Sequence, residues 1–263
     1  MPIAAFRPRR VRTLSLTALL TAGVVSPGLL AAQQLDSAPV DSFPHETSIQ
    51  WWHGAAVLGG VSALMLLDGS VRHSVQSHRT AGADRLAETV RHFGQPEVYA
   101  TVTAGLLVAG GLAHNPRLTR MGTHLAGALA VAAGVSNSVK LVTGRSRPDN
   151  LVSPDNDADD FGLFSGQASW PSGHTAMAFA FATALGDELH EPVARYGLLA
   201  AATAVGWSRI NDNRHWLSDV AAGAVLGIAS AKFASGRWRV FGIRAPSFMA
   251  GPRGMGLGWQ ASF

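Results

Sequence analysis

The sequence predicts an all-α protein, a six-helix bundle followed by a Gly/Pro-rich C-terminal tail. Apolar segments recur between residues 51 and 235, and each is rich in Ala, Leu, Val and Gly. Polar turns with helix breakers, such as Asn115-Pro116 and Glu191-Pro192, separate the segments. Small residues on the helix faces would let neighbouring backbones approach closely, which favours a bundle.

The predicted helices follow one another with longer connections before the second helix and over residues 144–170. Their expected ranges are 51–68, 97–114, 121–143, 174–187, 194–208 and 216–235. The tail, residues 236–263, is rich in Gly, Pro and Arg and cannot continue the last helix. We expect an irregular tail, in which the alternating end could form a short strand.

The N-terminal region has the pattern of an export signal. Four arginines lie within the first dozen residues, an apolar run covers residues 14–30, and the run ends in Ala31 and Ala32. We therefore predict a signal peptide over residues 1–32. Residues 33–50 are polar and contain proline, which indicates a flexible linker, and the helical domain is expected over residues 51–235.

Charge and cysteine content exclude several classes of protein. The chain has 21 Lys and Arg against 17 Asp and Glu, and four arginines with no acidic residue lie in the predicted signal. The rest is formally neutral, so it lacks the basic field that a nucleic-acid partner requires. The absence of cysteine excludes disulfides and thiolate metal sites.

The apolar segments leave the relation to a membrane open. A spanning helix needs about 20 apolar residues, and only the segment 121–143 approaches this length. A soluble or peripheral periplasmic bundle and an integral membrane protein are both compatible with the pattern. In either case we expect membrane association and an exported location.

A first motif, Lys140-x6-Arg147-Pro148, places two cations seven residues apart. On one helix that ends at Pro148, both side chains could share a face and bind one anion. Arginine suits two phosphate oxygens at once, and lysine acts as a compact charge. The alternative is a cationic helix terminus that interacts with its own macrodipole.

The second motif, Pro171-Ser172-Gly173-His174, precedes an apolar helical run. Ser172 is expected to cap this helix, and Gly173 leaves the main-chain N–H groups open to an anion. His174 would then lie beside that anion. A lone histidine in a first helical turn would otherwise be structural or solvated.

The third motif is Ser208-Arg209-x5-His215-x3-Asp219. His215 and Asp219 are four residues apart, so both lie on one face of a helix, where the carboxylate can accept a proton from one imidazole nitrogen. The other nitrogen is then a free nucleophile, and Arg209 supplies a third cation. The alternative is a structural Asp–His pair at a helix start.

Together the three motifs resemble the signature of the type 2 phosphatidic acid phosphatase and vanadium haloperoxidase superfamily. The resemblance covers residues 140–219. It implies that His215 attacks phosphorus, Asp219 orients His215, and His174 protonates the leaving group. It also implies which residues bind the phosphoryl oxygens, namely Lys140, Arg147, Ser172, Gly173 and Arg209.

The resemblance implies a phosphatase that needs no metal or other cofactor, although phosphate or vanadate would occupy the site as an anion. The expected substrate is a lipid or polyprenyl phosphate or pyrophosphate at the cell envelope, and the site is expected to face the periplasm. Three alternatives stay open: a periplasmic acid phosphatase acting on soluble esters, a vanadium-dependent haloperoxidase, and a non-catalytic phosphate-binding protein. Arg145 and Arg214 lie between the motif residues, where they would support the anion site or pair with Asp149 or Asp212.

Overall fold

The computed structural model describes residues 13–16, 47–150, 161–245, 247–251 and 254–262. Helices dominate these residues, and the predicted all-α class is confirmed. The described ranges contain seven helices, one more than the predicted six. They are α1 (Trp51–Ser77), α2 (Ala81–Phe93), α3 (Pro96–Leu112), α4 (Pro116–Thr143), α5 (Gly173–Leu189), α6 (Pro192–Asn211) and α7 (Leu217–Ala234).

The additional helix is α2, which lies in the connection predicted before the second helix. It is strongly amphipathic and carries several charged residues, so it forms no continuous apolar segment. The hydroxyl of Thr80 caps its start by accepting a hydrogen bond from the N–H of Ala83 at 3.1 Å. α1 also runs to Ser77 rather than ending near residue 68, because no proline interrupts its second half.

The core of the helical unit is built around α5, which packs against α4, α6 and α7. Two glycines of α7 bring its backbone against α5. A Cβ on Gly227 would lie 2.4 Å from the carbonyl oxygen of Ala176, and one on Gly223 would lie 2.6 Å from that of Ser172. The first turn of α5 is therefore packed closely against the second and third turns of α7.

α4 ends at Gly144, which adopts the left-handed conformation with φ of 55°. A Cβ at this position would lie 1.9 Å from the carbonyl oxygen of Gly162, so only glycine fits. Lys140 stays in the last turn of α4, whereas Arg147 lies in the loop that follows. The predicted shared helix face for Lys140 and Arg147 is thus wrong, because α4 ends before Pro148 is reached.

The strands belong to a second compact unit, separate from residues 51–235. They are β1 (Thr13–Leu16), β2 (Thr47–Ile49), β3 (Trp238–Val240), β4 (Ser247–Gly251) and β5 (Gly254–Ser262). β2 pairs with β3 in parallel, and β5 pairs antiparallel with both β1 and β4. Most of the predicted signal peptide and linker lies outside the described residues, and the domain boundaries stay predictions.

Two of the described helices, α4 and α7, are long and apolar enough to cross a bilayer. α1 would be a third span if its two halves are counted together. These halves, Trp51–Met65 and Asp68–Ser77, are inclined to each other by 49°.

Candidate active site

The three sequence motifs meet at one end of the helical unit. The N–H of Ser172 donates a hydrogen bond to the carbonyl oxygen of Asp219 at 2.9 Å, which joins the starts of α5 and α7. A Cβ on Gly173 would lie 3.7 Å from Cε of Lys140, so the last turn of α4 borders the same space. We call this end of the bundle the motif end.

His215 and Asp219 form the predicted pair. Nδ1 of His215 lies 3.3 Å from Oδ2 of Asp219, and only 3 % of the His215 side chain is exposed. Oδ2 also accepts hydrogen bonds from the hydroxyl of Ser169 at 2.5 Å and from the N–H of Trp216 at 3.0 Å. Burial lowers the pKa of His215 and outweighs the opposing effect of Asp219. Nε2 is the nitrogen that faces away from this network.

The other oxygen of Asp219 is held by Arg145. Nη1 of Arg145 donates to Oδ1 of Asp219 at 2.6 Å and to the hydroxyl of Ser218 at 2.7 Å. Nη2 donates to Oδ2 of Asp68 at 2.8 Å, and the side chains of Arg145, Asp68 and Asp219 are completely buried. Arg145 therefore supports the motif end from behind Asp219, and it pairs with neither of the carboxylates considered as alternatives.

Sequence reasoning missed Asp68 and Ser169. Asp68 had a usable signal, because it is a lone carboxylate within the apolar segment of α1, and a charge in such a place needs a partner. Ser169 had none, since a serine in a long loop has no preferred position. Arg214, the second arginine left open, pairs with Asp149.

The predicted phosphate-binding cations have few carboxylate partners. Nζ of Lys140 donates to the carbonyl oxygen of Ala168 at 2.7 Å. Arg147 is half-buried, and neither it nor Lys140 forms an ion pair with a carboxylate among the residues that the structure describes. Arg209 is buried and lies 3.3 Å from Asp212. Counting the described residues alone, the cluster therefore has more cations than carboxylates.

Arg209 also shares Asp212, the one carboxylate that it contacts within the described ranges. Nη1 of Arg91, on α2, lies 2.9 Å from the same oxygen of Asp212. One carboxylate thus faces two guanidinium groups, and the Nε of Arg209 is buried without a hydrogen-bond partner in the part of the chain that the structure describes. An anion at this position would satisfy a donor that the protein leaves unpaired.

His174 lies within reach of all these cations. It is half-buried in the first turn of α5. Burial lowers its pKa to about 4, and the positive charges of Arg209, His215, Lys140 and Arg147 act in the same direction. A bound phosphate would have the opposite effect, because its negative charge favours the imidazolium.

The second motif starts α5 as predicted, but the role of Ser172 differs. Ser172 is completely buried and occupies the cap position, yet its side chain makes no capping hydrogen bond to the helix. Its hydroxyl accepts instead from the hydroxyl of Thr175 at 2.9 Å. The predicted cap position of Ser172 is therefore confirmed, but the predicted capping hydrogen bond is wrong. Phosphate binding by Ser172 and Gly173 stays a prediction.

The described residues contain no group of three or more His, Cys, Asp or Glu side chains that could hold a metal ion. The described carboxylates of the motif end are engaged by arginine, by Ser169 or by main-chain N–H groups. Whether a cofactor takes part stays open to experiment.

The sequence pattern of the PAP2 superfamily matches residues 122–240, a range that contains all three motifs. Over these residues the chain is similar to the PAP2 superfamily. Two similar proteins are lipid A 1-phosphatases. The one from Porphyromonas gingivalis is 38% identical over 102 residues, which are 38% of this chain and 20% of that protein. The one from Rhizobium etli is 28% identical over 184 residues, which are 63% of this chain and 74% of that protein. The chain thus matches only about a fifth of the first relative's length.

Two solved structures share the fold of this chain. LpxE of Aquifex aeolicus superposes with a TM-score of 0.52 at 23% identity, over 64% of this chain and 94% of that one. A transmembrane PAP2 type phosphatidylglycerolphosphate phosphatase from Bacillus subtilis gives 0.54 at 18% identity, over 69% and 94%. The length and apolar composition of α4 and α7 support a membrane protein, one of the two interpretations of the sequence. The side that the motif end faces stays a prediction.

Proposed function

We propose that this protein is a phosphatase that removes a phosphate monoester from a membrane lipid, with a phosphorylated glycolipid of the lipid A kind as substrate. Two observations support the substrate class: both similar proteins act on lipid A at its 1-phosphate, and α4 and α7 are apolar enough to lie in a bilayer. The reaction type is supported by the motif end.

The first step is attack by Nε2 of His215 on phosphorus. Oδ2 of Asp219 accepts a hydrogen bond from Nδ1–H of His215, so the proton stays on Nδ1 and the lone pair of Nε2 is free to attack the ester. An N–P bond forms, the P–O bond to the lipid breaks, and the leaving oxygen takes a proton from the imidazolium of His174. In the second step His174 accepts a proton from water, water attacks phosphorus, and phosphate leaves His215.

The cations stabilise the charge on the phosphoryl oxygens. Arg209 has an unpaired Nε, and Lys140 and Arg147 have no described carboxylate partner, so each can donate to the anion. Uncatalysed hydrolysis of phosphate monoesters is among the slowest reactions, and enzymes lower its barrier by roughly 20 kcal/mol or more. Positioned cations and a covalent intermediate together supply effects of this size.

A single observation carries the proposal: the buried His215–Asp219 pair lies beside a group of cations with few carboxylate partners. Among the described residues, Lys140 and Arg147 contact no carboxylate, and Arg209 shares Asp212 with Arg91. A phosphate-binding protein needs the cations but not an oriented imidazole. This combination favours hydrolysis over binding alone.

The test is hydrolysis by the full-length protein purified in detergent. Lipid A 1-phosphate, phosphatidate, phosphatidylglycerolphosphate and p-nitrophenyl phosphate are compared, with His215→Ala as the inactive control. We expect kcat/KM to be highest with lipid A 1-phosphate and activity to persist in EDTA. Activity on p-nitrophenyl phosphate without activity on the lipid phosphates would favour the soluble-ester alternative. Vanadate-dependent bromide oxidation would favour the haloperoxidase.

We further propose that the motif end faces the periplasm. The natural sequence contains no cysteine, so single-cysteine variants report one position each. Leu163, close to the motif end, is 70% exposed, and Val193, at the other end of the helices, is 86% exposed. An impermeant maleimide should label Leu163→Cys in intact spheroplasts and Val193→Cys only after lysis. The reverse pattern would contradict this orientation.

A further inference from the structure

An apolar cavity lies between α2, α3, α5 and α6, with a volume of about 350 Å³. This volume is within the range of small-molecule sites, ~300–1,000 Å³. Its walls are almost entirely apolar and include no charged side chain. Representative lining residues are Phe93, Ala178, Phe181, Leu198, Ala202 and Val205.

The cavity begins one helical turn from the candidate phosphate site. Ala178 follows His174 by four residues on α5, and Val205 precedes Arg209 by four residues on α6, so each lies on the same helix face as the motif residue. From there the lining continues away from the cations, reaching Ala182 on α5. This is a distance of about 12 Å from His174 along the helix axis.

A second connection between the cavity and the motif end runs through α2. Val90 lines the cavity, and its neighbour Arg91 contacts Asp212, the carboxylate that also contacts Arg209. The cationic cluster thus adjoins one end of an elongated apolar space. A ligand that occupied both the cationic cluster and the apolar cavity would have a phosphate at one end and a hydrocarbon chain at the other.

We propose that this cavity holds a hydrocarbon chain of the phosphorylated lipid during hydrolysis. The inference rests on the proposed phosphatase function and specifies how that site selects a lipid. Alanines at several lining positions keep the space open, and only Thr89 and Tyr99 bring polar atoms to it. Each methylene that moves from water into such a cavity contributes about fourfold to binding, equivalent to ~0.8 kcal/mol.

The test uses monoalkyl phosphates from butyl to octyl with the full-length protein held in amphipol, which avoids micelles. Ala201 lines the cavity from an exposed position on α6, so Ala201→Trp should fill the space without disturbing the core. Its neighbour Ala200 is also exposed but does not line the cavity, and Ala200→Trp is the matched control.

We expect kcat/KM of the natural protein to rise at least tenfold from butyl to octyl phosphate. The ratio of the two values should fall at least fivefold in Ala201→Trp and stay within twofold in Ala200→Trp. An octyl-to-butyl ratio of kcat/KM near one in the natural protein, or equal ratios in the two variants, would overturn the cavity proposal. Hydrolysis of butyl phosphate would still support the phosphatase function in that case.

Failure of the phosphatase proposal itself is recognised separately, because then no ester in the series is hydrolysed. In that case an octyl phosphate that carries a photoreactive diazirine at the chain end still tests the cavity. Cross-linking to α5 or α6 that Ala201→Trp prevents would support it. Cross-linking that both tryptophan variants leave unchanged would overturn it.

A different observation, the buried ion pair of Asp68 and Arg145, carries a second inference. Asp68 accepts from Nη2 of Arg145 at 2.8 Å, from the N–H of Ser218 at 2.8 Å and from its hydroxyl at 2.5 Å. We infer that Asp68 is a positioning residue for the His215–Asp219 pair. It fixes Arg145 against Asp219 and anchors the first turn of α7, although it lies on α1.

Asp68→Asn tests this inference, because it keeps the size of the side chain and removes its charge. We expect kcat to fall by about 10–100-fold, as for other residues that orient a reactive group, with KM within threefold. The control is Asp187→Asn, which removes an equally buried carboxylate that pairs with Lys232 at 2.6 Å. A kcat within twofold of the natural value in Asp68→Asn, or equal kcat losses in both variants, would overturn the role.

Discussion

The same three helices carry charged clusters at both of their ends, and the two clusters differ in balance. At the end opposite the motif end, Glu188 lies 2.7 Å from His124 and 3.3 Å from Arg120. Beside it, Asp187 lies 2.6 Å from Lys232. Each of these basic side chains has a carboxylate partner. We call this cluster, on α4, α5 and α7, the balanced end.

The motif end has the opposite character. Lys140 and Arg147 contact no carboxylate among the described residues, and Arg209 shares Asp212 with Arg91. Arginine and lysine gathered in this way repel one another and destabilise the folded state unless an anion joins them. The comparison teaches that the ion pairs of the balanced end stabilise the bundle, whereas the excess of cations at the motif end is what our proposal assigns to anion binding.

The largest expected difference between the two ends is in catalysis. Arg209→Met should lower kcat/KM for a lipid phosphate by roughly a thousandfold, because it removes a fixed cation from the transferring phosphoryl group. Arg120→Met at the balanced end should leave kcat/KM within twofold. Steady-state kinetics on both purified variants measure the effect. Similar losses of kcat/KM in the two variants would contradict the assignment of catalysis to the motif end.

A second effect concerns the leaving group. His174→Ala should slow the first chemical step by about 10²–10⁴-fold with an alkyl phosphate, because an alkoxide needs a proton to leave. The loss should be less than tenfold with p-nitrophenyl phosphate, since nitrophenolate leaves without one. The pre-steady-state burst of product isolates this step. Equal losses with both esters would exclude His174 as the proton donor.

The third effect is on stability in the presence of an anion. Orthophosphate at a hundred times its Kd should raise the free energy of unfolding of the natural protein by about 2.7 kcal/mol. Arg147→Gln should lose most of this gain, and Glu188→Gln should keep it. Thermal unfolding in phosphate and in chloride of equal ionic strength gives the comparison. A full gain in Arg147→Gln would place the anion elsewhere.

The smallest effect is at the balanced end. Glu188→Gln should lower the free energy of unfolding by about 1–2 kcal/mol, because Arg120 and His124 lose a charged hydrogen-bond acceptor. Its kcat/KM should stay within twofold of the natural value. Thermal unfolding and steady-state assays on the same preparation are the measurements, and a large loss of activity would show that the two ends are coupled.

Part of the geometry of the motif end could be predicted from the sequence, because that part depends on local spacing. His215 and Asp219 meet through one helical turn, and Pro171-Ser172-Gly173-His174 starts a helix by its own composition. Apolar segments likewise predicted six of the seven helices. α2 was missed because an amphipathic helix has no continuous apolar run.

Contacts between distant segments were beyond sequence reasoning. Asp68 reaches Arg145 only because α1 packs against α7, and nothing in the local pattern specifies that partner. The shared helix face for Lys140 and Arg147 was a local inference that failed, since Gly144 ends α4 early. The hydroxyl of Ser172 accepts a hydrogen bond from Thr175 rather than from a helix N–H group. This contact depends on the packing around the start of α5, which the local sequence does not specify.

The most direct test of the account is the identity of the phosphorylated residue. The purified protein is mixed with a lipid phosphate that carries radiolabelled phosphorus, quenched within milliseconds under alkaline conditions that preserve phosphohistidine, and digested. The account predicts label on the peptide that contains His215, and no label in His215→Ala. Label on His174, or hydrolysis without any labelled histidine, would contradict it.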